Sequence, residues 1–395
     1  MGAQRGRMAV RRERFAARRR AAGLSQEQLA GNLGVERSTV IRWESGQTAP
    51  QPWLRPKIAQ ALRVSAEQLD ELLDESGGSN GGAESRLDYA LRHPASADLV
   101  TVALVRDQVQ QLDERYDKAP SASLLAEAGE CLGRVNFLSA HAARGLVRRE
   151  LHAVEAEAAT LVGQLVWDAS RRRDHARAHT YFDQAVSAAR QLRDPAAEGL
   201  ALLRKSFVAL YGERDPQSGL ELTTQAAEAT GGVSHVLTGL AILHAAEAQA
   251  MLGQLTQCEQ ALSRARAQFD QIADDDTAID LYSPAQFGRL AGSCYLFLND
   301  ARRAQPILED TASALRDRSK SQAIVLGNLA LACIRQGDLD EAAARLHEAI
   351  DVIEQTMGGG GLTIVFAASR ELRPWRSLPA VDEVQDRLLG LMATT

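Results

Sequence analysis

Along residues 23–46 the apolar positions fall into two short helical runs. Ser25 precedes QEQLAGNL with Gln28 three residues on, the arrangement of a capping box, and Leu29 and Leu33 lie one turn apart on a buried face. Gly34 supplies a tight turn, and VERSTVIRWESG predicts a second helix stopped by Gly46. On that helix Val40 and Trp43 repeat at helical spacing and face a core, leaving Arg37, Ser38, Ile41, Arg42 and Ser45 on the opposite side. PWLRPKIAQAL and SAEQLDELL carry the pattern on as the fourth and fifth helices of one small domain.

From residue 150 the pattern repeats. Five short polar turns recur, RRRDHARA, GERDPQSG, GQLTQC, LNDARRA and GDLDEAA, and they align on Asp174, Asp215, Gln254, Asp300 and Asp338. Four positions later every unit has a small residue: Ala178, Gly219, Cys258, Ala304 and Ala342. Eight positions later stand Phe182, Leu262, Leu308 and Leu346, with Thr223 the exception; eleven later stand Ala185, Ala226, Ala265, Thr311 and Ala349. Small residues at fixed places let paired helices approach closely, and the larger ones fill the gap between neighbouring pairs. Residues 74–85, DESGGSNGGAES, predict a flexible linker spanning roughly 19 Å on average. Residues 86–149 read as degenerate helical pairs, 150–356 as the repeats, and 357–395 as a helical cap, in which TIVFAA has a strand-like composition but is read as helix. The predicted fold is all-α.

Composition supports that reading. Of 395 residues 45% are hydrophobic but only 5% aromatic, and alanine is abundant, which favours helices over sheets. No apolar run approaches the roughly 18 residues of a membrane span, so a soluble, cytoplasmic protein without membrane contact is expected, starting at Met1 or Met8. Cys131, Cys258, Cys294 and Cys333 lie far apart and read as small packing residues rather than as a zinc or disulfide framework. His175 and His179 stand four apart on a helix, but no third ligand has a sensible spacing, so no metal is expected. No phosphate loop, GxSxG elbow or HExxH occurs, which argues against an enzyme, and no cofactor is expected.

Charge changes the picture most. Residues 1–73 hold 13 Lys and Arg against 7 Asp and Glu, while the remainder holds 32 against 44. A basic head on an acidic body points to a polyanion partner for the head alone. The DNA major groove admits one helix, and arginine reads guanine by two parallel hydrogen bonds while a preceding helix lies across the backbone. Ser25 and Gln26 at the amino end of that preceding helix are placed for phosphate, and Arg7, Arg11, Arg12, Arg14, Arg18 and Arg20 add positive charge.

LSQEQLA, STVIRWE and the following GQTAP, in this register over residues 8–73, resemble the Cro and phage-repressor type of helix-turn-helix domain. The resemblance implies that Arg37, Ser38 and Arg42 read bases and that Gln26 contacts phosphate. It also implies a structural pairing of Arg19 with Glu44. Ile41 replaces a polar residue common in that family and would meet a thymine methyl or a partner subunit. The last repeat, GNLALACIRQGDLDEAAARLHEAIDVI, resembles a tetratricopeptide repeat, though unit spacings of about 38 to 46 residues exceed the usual 34.

The whole layout resembles the helix-turn-helix and tetratricopeptide regulators of high-GC actinobacteria, and more distantly the peptide-responsive quorum-sensing regulators of Gram-positive bacteria. That implies a transcription regulator, homodimeric on a double-stranded DNA operator, whose α-solenoid binds a peptide, small molecule or protein partner. On the inner wall the family pattern places Trp167, Arg171, Arg204, Lys205, Glu247, Gln286, Arg289, Asn328 and Arg335. Several cations facing one groove suit a carboxylate, a phosphate or an extended peptide. The alternative is a protein-interaction scaffold whose head serves as a tether.

Overall fold

The computed structural model describes residues 12–45, 48–73, 81–170, 172–315 and 319–393. Among these, every regular element is helical. They fall into two compact units, the first ending at Arg92 and the second beginning at His93.

The first unit contains α1 (Glu13–Ala21), α2 (Gln26–Leu33), α3 (Arg37–Glu44), α4 (Arg55–Leu62), α5 (Ala66–Leu73) and α6 (Gly81–Arg92). The Ser25 hydroxyl accepts from the Gln28 N–H at 3.0 Å, and the Ser25 N–H donates to Gln28 Oε1 at 2.7 Å, so two N-terminal donors of α2 are satisfied reciprocally. Gly34, at φ +69°, ends α2 in the left-handed conformation that a side chain would disfavour. Phe15, Leu29, Val40, Trp43, Ile58, Leu62 and Leu69 form one buried core drawn from α1 to α5. The predicted stop at Gly46 lies outside the described residues. So do residues 74–80 of the predicted linker, whereas residues 81–85 open α6, which belongs to the first unit.

The second unit comprises α7 (Leu99–Tyr116), α8 (Ser121–His141), α9 (Gly145–Ala169), α10 (His175–Leu192), α11 (Pro195–Phe207), α12 (Pro216–Thr230), α13 (His235–Met251), α14 (Leu255–Phe269), α15 (Pro284–Phe297), α16 (Ala301–Ala314), α17 (Lys320–Gln336), α18 (Leu339–Thr356), α19 (Gly359–Leu372) and α20 (Pro379–Ala393). Asp174, Asp215, Gln254, Asp300 and Asp338 are the N-caps of α10, α12, α14, α16 and α18. Each aspartate accepts from a backbone N–H in the first turn of its helix. Gly337, at φ +85°, ends α17 just before its cap, and Asn299 takes the same left-handed place before Asp300.

Beyond the caps the small positions do what their spacing requires. Ala178, Cys258, Ala304, Ala342, Ala185, Ala226, Ala265 and Ala349 are fully buried, and so are Phe182, Leu308 and Leu346. Thr223 is buried as well, its hydroxyl donating to the Gly219 carbonyl. Glycines on the facing helices complete the fit: a Cβ on Gly292 would stand 2.5 Å from Leu308, whose side chain would have to shift to admit it. TIVFAA lies within α19.

Helices α9, α11, α13, α15, α17 and α19 pack side by side in that order, and α19 also meets α9. The row therefore curls until its last member touches its first. Asp168, near the end of α9, accepts from the Gly359 N–H at 2.8 Å, from Ser121 Oγ at 2.8 Å and from Lys320 Nζ at 3.1 Å. Lys320 also donates to Ser121 Oγ at 2.7 Å, and its backbone N–H reaches the Asp117 carbonyl at 3.0 Å. Asp168 and Lys320 are 3% and 5% exposed, so both charges depend on this pairing. Replacing Asp168 by Asn strands a buried ammonium and is expected to lower stability by about 3 to 5 kcal/mol in chemical denaturation. The double substitution Asp168→Asn with Lys320→Met is expected to cost less than the single one, because no unpaired charge remains.

Candidate DNA-reading face and candidate effector cavity

Helix α3 presents two faces. Val40 and Trp43 are buried, while Arg37, Ser38, Ile41 and Arg42 are exposed, Ile41 by 41%. Arg42 Nε donates to the Ser38 carbonyl at 3.3 Å, which lays the guanidinium along the helix surface, and Ser38 Oγ donates to Glu36 at 3.1 Å. What holds α3 is a buried carboxylate in its last turn. Arg19 Nε donates to Glu44 Oε1 at 2.7 Å, and Gln26 Nε2 donates to Glu44 Oε2 at 2.6 Å. One carboxylate thereby joins α1, α2 and α3, and the Gln26 amide spends one of its two N–H donors inside the protein. Ser25 is exposed beside it.

Arg12 is not a surface charge. It is buried and donates to the Trp43 carbonyl at 3.1 Å and the Thr48 carbonyl at 2.7 Å, because the backbone leaving α3 needs donors there. Arg18 donates to the Arg63 carbonyl at 2.8 Å, and Arg20 remains exposed. Arg7 and Arg11 lie outside the described residues.

In the second unit the curled row encloses a cavity of about 430 Å³. Trp167, Arg204, Glu247, Arg289, Asn328 and Arg335 line it. Lys205 does not: one residue past Arg204 it is turned away around the helix and pairs with Asp183. Gln286, in the first turn of α15, is not among the lining residues, and Arg171 lies outside the described ones. His175 and His179 form no metal pair. The ring of His175 bonds the Arg172 carbonyl and that of His179 bonds Glu213, and no metal-ligand cluster occurs among the described residues. All four cysteines are free and buried.

The cavity also draws on residues that repeat spacing did not single out: Tyr116, Arg172, Phe207, Tyr211, His244, Ser293 and Lys320. Arg172 lies over Trp167 at 4.5 Å and Tyr211 at 5.9 Å from the ring centroids. Tyr211 belongs to a π-helical turn, Val208–Glu213, a device that recurs where a helix wall serves a site. A readable signal existed for Tyr211, since it stands seven residues after Arg204 and therefore on the same face. None existed for Tyr116 or Lys320, which reach the cavity only because the row closes.

Glu247 sits in the wall within a polar cluster. Tyr211 donates its hydroxyl to Glu247, Ser293 Oγ donates to Glu247 Oε1 at 2.6 Å, and His244 Nδ1 is 2.9 Å from the Tyr211 hydroxyl. Burial pushes the Glu247 carboxyl up, but hydrogen bonds from His244, Ser293 and Tyr211 together hold it below its ordinary range. Burial pushes the His244 imidazole down; Glu247 opposes this, and Arg289 and Arg204 add to it. Burial, helped by the Glu247 charge, raises Tyr211 well above its ordinary value. Lys320 is pushed down by burial and pulled back by Asp168.

Residues 12–72 match the family model of a helix-turn-helix domain. An uncharacterized HTH-type transcriptional regulator of Methanothermobacter thermautotrophicus (strain Delta H) is 41% identical over 61 residues, which are 15% of this chain and 86% of that protein. The chain belongs to the helix-turn-helix type transcriptional regulators. Among solved structures, Bacillus thuringiensis PlcR in complex with the peptide PapR7 and DNA aligns over 83% of this chain and 98% of its own, at 14% identity and a TM-score of 0.36. The apo quorum sensor NprR of the same organism aligns over 83% and 88%, at 12% identity and a TM-score of 0.45. Likenesses this loose carry nothing about a ligand or an assembly.

The His244 cluster has a pH signature. Because the folded state holds this imidazole below its ordinary value, the folded chain binds fewer protons than the unfolded chain once pH drops under about 6.5. Stability is therefore expected to fall as pH goes from 7 toward 5, by at most about 1.4 kcal/mol per pH unit, until the folded-state imidazole itself takes up a proton. The His244→Gln variant is expected to show a flatter profile over that interval in denaturant titrations at successive pH values.

Proposed function

We propose that this regulator is sequence-specific, binds a double-stranded operator as a homodimer, and carries in its second unit a receptor for an effector, a peptide or a small molecule. The observation that carries the first part is the two-faced α3. A helix whose inner face is committed to the core through Val40 and Trp43 offers Arg37, Ser38, Ile41 and Arg42 outward at the spacing needed to follow base edges. In this reading Arg42 and Arg37 read guanine, Ser38 bonds a base or phosphate, and Ile41 meets a thymine methyl. The Ser25 hydroxyl and the second N–H of the Gln26 amide hold phosphate beside α2. Two-fold pairing follows from reach: one recognition helix covers a half-site, and a second copy doubles it. The cavity supports the second part, since its volume of about 430 Å³ falls in the range of small-molecule sites and it joins aromatic and apolar walls to many charged side chains.

Selection of bound fragments from genomic DNA by the purified full chain, at a stated near-physiological salt, is expected to return a pseudo-palindrome with half-sites about one helical turn apart. On that site Arg42→Ala is expected to cost about 1 to 3 kcal/mol and to relax preference at the contacted base pair. An equal loss on all sequences would assign Arg42 to the phosphate backbone and remove it from base reading.

A further inference from the structure

We propose that the cavity of the second unit takes a compact organic anion with an apolar body, its acid group held between Arg204 and Arg289. The proposal rests on the reading of this cavity as the effector site and specifies what enters it.

Most charges in the cavity wall are already paired. Lys320 is paired with Asp168 at 3.1 Å, and Arg335 with Glu371 at 2.8 Å. Glu247 is satisfied by Tyr211, Ser293 and His244. Arg172 lies over Trp167 and within 4.0 Å of Asp168, and Arg214 is exposed, which leaves Arg204 and Arg289. Among the described residues neither has a hydrogen-bond or ion-pair partner, and the Nε–H of each is buried without an acceptor. Asp113 feels the Arg204 charge without touching it.

Both guanidiniums line the cavity, and Arg204 lies 5.5 Å from the centroid of Phe207, whose ring stands 4.4 Å from the His244 imidazole. Two unpaired cations lining one cavity repel each other and have lost part of their hydration, a cost that a bound anion offsets. Arginine forks fit carboxylate, sulfonate and phosphate oxygens alike.

Size and lining narrow the class further. Trp167, Phe207, Leu210, Ile324 and Ile364 face the same space, so the ligand carries an apolar body along with its charge. The cavity volume of about 430 Å³ falls in the range of sites for compact molecules. Glu247 lines the same space, and the Tyr211 and Ser293 hydroxyls turned toward its carboxylate partly offset its charge.

The test uses two dyes of one shape and different charge, 8-anilino-1-naphthalenesulfonate and the neutral N-phenyl-1-naphthylamine, titrated by fluorescence into the full chain. The anionic dye is expected to saturate at one per chain and to bind at least tenfold more weakly to Arg204→Gln and to Arg289→Gln. Lys205→Gln, outside the cavity, is expected to leave it unchanged, and Arg204→Lys and Arg289→Lys to give intermediate affinities. The neutral dye is expected to bind all variants alike. Thermal unfolding of each variant shows that the fold persists, and the lysine variants supply the comparison should a glutamine variant fail to fold. Equal affinity of the anionic dye for all variants, or several dyes per chain, would overturn the proposal. Operator binding measured with and without the anionic dye separates the two readings: arginine-dependent dye binding with no change on DNA leaves the anion site standing and removes the effector role.

Discussion

The carboxylate of Asp168 is the point on which the second unit turns. It lies near the end of the first long helix of the repeat row, and it accepts from a backbone N–H of the last helix in that row and from a lysine opening the helix before it. Repeats that contact only their neighbours make an open arc. This arc closes because one buried acid is shared by elements about two hundred residues apart in sequence, and a buried charge persists only where its partners are in place. The cavity owes the wall between α9 and α19 to that closure. Its aromatic lining, the Arg172 guanidinium stacked on Trp167, and the Glu247 cluster all gain a low-polarity setting from the same closure.

The first unit uses the same device on a smaller scale. Glu44 is the last residue of α3, and its two oxygens are taken by Arg19 and Gln26. Hydrophobic packing of Val40 and Trp43 decides which face of that helix is buried, but packing is nearly indifferent to small rotations. Two charge-assisted hydrogen bonds at one end are not, since they weaken steeply with angle. The angle at which Arg37 and Arg42 leave the surface is thus set by hydrogen bonds made inside the domain.

Much of this was legible in the residues. The Ser25 and Gln28 capping box, the turn at Gly34 and the alternation of Val40 and Trp43 with Arg37, Ser38, Ile41 and Arg42 are all relations across three or four residues, which helix geometry converts directly into structure. Four of the five aligned turns became side-chain caps, at Asp174, Asp215, Asp300 and Asp338, because an aspartate side chain satisfies orphan N–H groups where a helix starts; Gln254 stands at the fifth N-cap without such a bond. The wall was legible only by analogy between units. Trp167, Arg204, Glu247, Arg289, Asn328 and Arg335 followed it, while Lys205 found an acidic partner on the neighbouring helix and Gln286 stands at the very start of its own. Arg12 read as a surface charge because nothing local marks a backbone segment elsewhere that lacks donors.

The sequence by itself determined the division into a head and a repeat body, the starts of α2 and of the repeat helices, the small positions where helices meet and the exposed face of α3, because each is written in spacings shorter than a few turns. Only the tertiary structure decided that the repeat row closes, that Tyr116 and Lys320 join its cavity, and that Arg335 and Lys320 are neutralised while Arg204 and Arg289 are not. The reason is physical: whether a buried charge has a partner depends on elements brought together from across the chain, and no local pattern of residues records which ones arrive.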